Sequence, residues 1–145
     1  MAGRSRSEQI EIIRGTRLFA GLTKRQLNAV AKTCSERSYA TGDVLVKQLD
    51  YGQKMLALVS GRARVVRDGR TVGSVEAGEV VGEMSLIDGL PCSATVVAQT
   101  PIEAIILYRT AFLDLLATVP TLTRRLLLAQ TARVRELDKR AAACG

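Results

Sequence analysis

The chain has 145 residues, enough for one domain with a proper core, and its 47% hydrophobic content is ordinary for a globular fold. Histidine and tryptophan are absent, and Phe19, Phe112, Tyr39, Tyr51 and Tyr108 are the only aromatics; this removes the commonest general base and metal ligand and leaves few platforms for stacked bases, which argues against metal-dependent β-roll enzymes and aromatic nucleic-acid readers. The net charge of +7 sits at the ends, with eight Lys/Arg against three Asp/Glu over residues 1–40, six against two over 121–145, and seven against nine over 41–120.

Spread over two helical regions without a recognition motif, that basic charge reads as solvated helix faces, and DNA binding is not expected from this chain. Cys34, Cys92 and Cys144 are too widely spaced for a zinc motif and odd in number, which suits a reducing compartment. The N-terminus is polar, without the apolar core of a secretory signal, and no apolar run approaches membrane-spanning length. A soluble cytoplasmic protein, with no metal and no membrane partner, is therefore expected.

In chain order, residues 7–14 form a short helix with Ile10 and Ile13 on its apolar side, punctuated by Gly15 and Gly21. Thr23 caps a second helix, with Gln26 placed to complete a capping box and Leu27, Val30 and Ala31 at helical spacing. From Ser38 the period becomes two: Val44 and Val46 alternate with polar neighbours, 55–59 is continuously apolar, and Arg62, Arg64 and Arg67 interleave with Ala63, Val65 and Val66. Asp68-Gly69 is a tight hairpin signal, 71–75 is the next strand and 102–107 the closing one. Helical pattern returns at Thr110 up to Val119, and Pro120 opens a longer helix. There Leu127, Val134 and Ala141 recur every seven residues, with Gln130, Leu137 and Cys144 between them. That stripe suits a homodimer seam, and suits equally a lid packed back over the chain's own pocket.

Residues 81–98 carry the grammar of an anion site. Gly82 permits close backbone approach, Glu83 opens a short helical turn through Met84, Ser85, Leu86 and Ile87, and the first amides of such a turn have no intrahelical partners. Asp88 and Gly89 break the turn, Pro91 resets the chain, and 92–98 alternates small and β-branched residues as a returning strand.

This segment closely resembles the phosphate-binding cassette of cyclic nucleotide-binding domains, the family of the catabolite activator protein and of protein kinase A regulatory subunits. Gly82, Glu83, Met84, Ser85, Leu86, Pro91, Ser93, Ala94, Thr95 and Val96 match the family pattern, and Cys92 stands where the family has an arginine. The likeness extends from about Leu18 to about Lys139, through 39–48 and 55–66. It implies a mainly β fold with flanking helices: a double-stranded β-helix jelly roll of about eight strands, N-terminal helices and two C-terminal helices. One domain over 1–145 is expected, helical over 1–35, a β-roll over 36–108 and C-terminal helices over 109–143.

The resemblance also implies a ligand, a cyclic nucleotide, with cAMP favoured over cGMP. Gly82 and Glu83 would hold the ribose, the amides of Met84 and Ser85 the phosphate, and Cys92, Ser93 and Ala94 would complete the phosphate side. Glu83 suits capping its own turn as well, and Ser93 can add a donor but no charge. Losing a bidentate, charge-assisted contact at Cys92 forfeits roughly 1.5 to 3 kcal/mol, about one to two decades of affinity, which moves a submicromolar site toward tens of micromolar. The acidic Glu83 and Asp88 worsen the balance unless Arg62, Arg64 or an arginine of the last helix reaches in. Asp138 and Lys139 fall roughly where bacterial activators meet the adenine amine.

The expected function is a regulatory cyclic nucleotide-sensing domain that is not an enzyme. It would lack an effector domain of its own, since the chain stops at Gly145 where activators continue into a helix-turn-helix, and would act through a separate effector protein. One alternative is a degenerate, ligand-independent interaction or dimerisation module; another is a DNA-associated regulator using basic helices alone.

Overall fold

Side-chain caps set where the N-terminal helices begin. In α1 (Arg6–Arg14) the Ser5 hydroxyl accepts from the Glu8 amide at 3.2 Å. In α2 (Lys24–Thr33) the Thr23 hydroxyl accepts from the Gln26 amide at 3.2 Å while Gln26 Oε1 accepts from the Thr23 amide at 3.0 Å, the reciprocal box that the sequence signals. These coordinates are a computed structural model that describes residues 3–16 and 18–144, without the side chains at 129, 133 and 140–144. The side chains at the seam positions Ala141 and Cys144 thus lie outside what is described.

Strands follow in the order β1 (Ser35–Tyr39), β2 (Val44–Val46), β3 (Lys54–Ser60), β4 (Arg62–Arg67), β5 (Arg70–Glu76) and β6 (Val80–Val81). After α3 (Glu83–Asp88) come β7 (Thr95–Ala98) and β8 (Ile102–Tyr108), then α4 (Arg109–Thr118) and α5 (Pro120–Cys144). The eight strands described make two antiparallel sheets, ordered β1-β8-β3-β6 and β2-β7-β4-β5, the jelly roll expected. Between β4 and β5 the two-residue turn has φ of 52° at Asp68 and 79° at Gly69, the mirror-type geometry that matches strand twist.

The apolar runs at 55–59 and 104–107 are continuous because β3 and β8 are covered on both faces. Leu56, Leu58, Ile102, Ala104 and Ile106 fill the roll, where Val75, Val81 and Val96 join them. Met55 and Leu107 face the other way, into a second core built by Ile13, Phe19, Leu27, Phe112 and Leu122 from the helices. Phe19 and Phe112 meet edge to face at 6.4 Å between ring centroids. Arg4 ties the N-terminal segment to the sheet through Glu36 at 3.1 Å and Glu103 at 2.8 Å. The cassette lies where the two cores adjoin.

Candidate functional site

At Gly82 the chain leaves β6 in the left-handed region (φ 82°, ψ 14°), and a Cβ there would stand 2.7 Å from the Lys54 carbonyl oxygen, so glycine alone fits. Glu83 then begins α3, which fully buried Leu86 anchors in the helical core. Arg109, the first residue of α4, donates from Nη2 to the Ile87 carbonyl at 3.3 Å and so partners an otherwise open carbonyl at the end of α3. Asp88 Oδ1 accepts from the Leu90 amide at 2.9 Å and closes the turn. Asp88 does not line the cavity described below, so among the described residues the carboxylate there is Glu83.

The loop before β3 pins the returning chain. The Cys92 amide donates to the Asp50 carbonyl at 2.7 Å, the Leu49 amide to the Cys92 carbonyl at 2.9 Å, and the Gly52 amide to the Leu90 carbonyl at 3.2 Å. Thr95 Oγ1 accepts from the Gln48 amide at 2.9 Å. Gly52 meets a further demand that its own neighbourhood in sequence does not signal, since a Cβ at this position would overlap the Ser85 Cβ of α3.

Gly82, Glu83, Met84, Ser85, Cys92, Ser93 and Ala94, all the residues expected at the site, line one cavity of about 280 Å³. Its remaining wall is mostly valine, with Val46, Val65, Val75 and Val96 from four strands. Glu83 Oε2 is buried, whereas the Met84 side chain is 72% exposed. Burial first, then Asp50, pushes the Cys92 thiol above its ordinary range, against a smaller pull downward from Ser85. A neutral thiol thus occupies the family's arginine position and brings no charge to the cavity. Cys92 also lines a second hollow of about 430 Å³, whose wall includes Lys47 and Lys54.

Among the described residues, the arginines expected to reach in do not; the side chains of Arg133 and Arg140 on the last helix lie outside them. Arg62 is held by Glu76 at 2.8 Å on the outer face of β4, Arg64 shares that outward parity, and neither lines the cavity. Arg124 and Arg125 of α5 line a separate groove beside Arg25 of α2. The cation that does line the cavity is Arg67, at the end of β4. Its signal in the sequence is phase, because Ala63, Val65 and Arg67 fall on one side of the strand. Among the described residues no part of α5 lines the cavity, and Asp138 and Lys139 are exposed. The lid arrangement is not adopted here.

Residues 36–119 match the family described as "Cyclic nucleotide-binding domain", a match over more than half of the chain. The chain belongs to the cyclic nucleotide-binding domain family. It is 31% identical over 131 residues to a cyclic AMP receptor protein of Thermus thermophilus, covering 87% of this chain and 61% of that protein. Among solved structures it is similar to the N-terminal domain of a transcriptional regulator from Streptomyces coelicolor A3(2), with a TM-score of 0.82 at 29% identity over 88% of this chain and 95% of that one. It is also similar to the regulatory domain of Toxoplasma gondii protein kinase A, solved with cAMP, with a TM-score of 0.70 at 26% identity over 76% of this chain and 44% of that one. The chain thus spans less than two thirds of the curated receptor that it matches. It carries a cyclic nucleotide-binding regulatory domain, and no helix among the described residues is long and apolar enough to cross a membrane.

Proposed function

We propose that residues 1–145 act as one cytoplasmic sensory unit, helical over 1–35, a β-roll over 36–108 and helical again over 109–143. It would bind a cyclic nucleotide, cAMP ahead of cGMP, and pass the signal to a separate effector without catalysis. The observation that carries this reading is convergence: the seven cassette residues share one cavity, with a buried Glu83 oxygen at one side and an apolar valine wall at the other. Its volume, about 280 Å³, is near the roughly 300 Å³ at which small-molecule sites begin. Gly82 and Glu83 take the ribose, the 2′-hydroxyl donating to the carboxylate; Ser85, Ser93 and the neighbouring amides face the phosphate, and the valines face the base. The half-buried thiols of Cys34 and Cys92 suit a reducing cytoplasm.

Calorimetry with cAMP and cGMP tests this. Saturable binding at or below tens of micromolar is expected, and Glu83→Ala weakens cAMP by about one to two decades, the worth of a hydrogen bond to a charged partner, while barely affecting its 2′-deoxy analogue. Equal loss for both ligands would make Glu83 structural; no heat with either nucleotide would overturn the sensing function. The reading that would then stand is a ligand-independent interaction module, favoured by the exposed stripe of Leu127, Val134 and Leu137 on α5.

A further inference from the structure

Resting on the nucleotide reading above, we infer that Arg67 supplies the guanidinium that pairs with the ligand's phosphate, so that the charge missing from position 92 comes instead from strand β4. The register explains how it gets there. In the β4–β7 ladder Val65 faces Val96 and Val66 faces Thr95, where that pairing ends, so Arg67 is the first β4 residue beyond it and lies beside the cassette's Ser93 carbonyl. Parity does the rest: Ala63 is fully buried, Val65 lines the cavity, and Arg67 follows on the same side, whereas Arg62 and Arg64 face outward. A charged residue thus ends the inward-facing row of a strand, at the open rim of a cavity.

The guanidinium is also held. Arg67 Nε donates to the Ser93 carbonyl at 3.2 Å, and no ion pair engages Arg67 among the described residues. A guanidinium has five N–H donors in a rigid fork, so one anchored through Nε keeps the four on its two terminal nitrogens, whose shared end-on edge takes two oxygens of a phosphate. Cys92 and Arg67 line the same cavity, and the thiol brings no charge that would compete with the guanidinium. With Glu83 as the cavity's carboxylate, Arg67 balances its charge and gives the site separate acidic and basic poles, as a ribose phosphate requires.

The test is a double-variant cycle, with cAMP as probe, calorimetry as readout and thermal melting to show that each variant is folded. Arg67→Ala should weaken cAMP at least tenfold. Cys92→Arg in the Arg67→Ala background should recover one decade or more, and the same change in the wild-type chain should gain clearly less, because the phosphate is already neutralised. That rescue separates charge supply from a structural role, since an arginine on a different strand segment cannot replace the Arg67–Ser93 tie. Equal cAMP affinity in wild type and folded Arg67→Ala would overturn this inference and leave the nucleotide reading standing. Equal gains from Cys92→Arg in both backgrounds would overturn it as well. A wild-type chain that binds neither cAMP nor cGMP would overturn both.

Discussion

Gly52 shows how one missing carbon places the cassette. Its Cα lies so near Ser85 that any β-carbon would displace α3, and the φ at this position is not the constraint; contact is. Gly52→Ala should therefore cost about 1 to 3 kcal/mol, the usual range for overpacking a filled site, and lower the melting temperature by several degrees. Adding Ser85→Gly removes the opposing Cβ and should restore most of the loss; a melting temperature unmoved by Gly52→Ala would refute the contact. Cys34 offers a pH test. Burial pushes its thiol from 9.0 up to about 12, against a smaller downward pull from Arg6. Below about pH 9 the folded and unfolded chains both keep the proton, so the group adds no pH dependence. From about pH 9 to 12 the unfolded chain sheds it first, and stability falls as pH rises by up to about 1.4 kcal/mol per unit. Denaturant titrations across that window should show a shallower fall in Cys34→Ala than in wild type, and parallel curves would contradict the assignment.

Among the elements, α5 changes character along its length. Leu122 and Leu126 are buried in the helical core, after which Leu127, Leu128, Val134 and Leu137 are all more than half exposed. Among the described residues the stripe read from heptad spacing does not line the cassette cavity, and of its apolar members only Leu127 borders a hollow beside Phe112 and Leu126 of the helical core. A second copy of the chain is the use we propose for it, with Leu127 and Val134 at matching seam positions. Val134→Asp would then bury a charge at the seam and should give monomers that stay folded, because Val134 contributes to neither core. Light scattering decides: a wild-type chain that is monomeric at tens of micromolar, with or without cAMP, excludes the dimer. The strands were easier to read than this helix, since a strand buried on both faces, such as β3, announces itself by an unbroken apolar run.

For the molecule as a whole, the cassette joins two cores. Val81 enters it from the roll, Leu86 anchors it among the helices, and Arg109 links the end of α3 to α4. Fold and cassette were legible in the amino-acid order because their signals are local. A capping box spans Thr23 to Gln26, a mirror-type turn needs Asp68-Gly69, and an alternating strand needs only its own residues. The order Gly82-Glu83 to Ser93-Ala94 likewise lies within one short stretch. What tertiary structure decided was which distant groups join that stretch. Gly52 matters through Ser85, Asp88 is withdrawn into a turn, and α5 leaves the cavity uncovered. The cavity's cation is Arg67 and not Arg62 or Arg64, since β4 carries position 67 past the end of its ladder with β7 to the Ser93 carbonyl, on the same side of the strand as Val65. Periodicity and turn chemistry act between residues a few places apart, whereas the site's charge and close contacts depend on pairings some 26 to 33 positions apart, which exist only once the two sheets have closed.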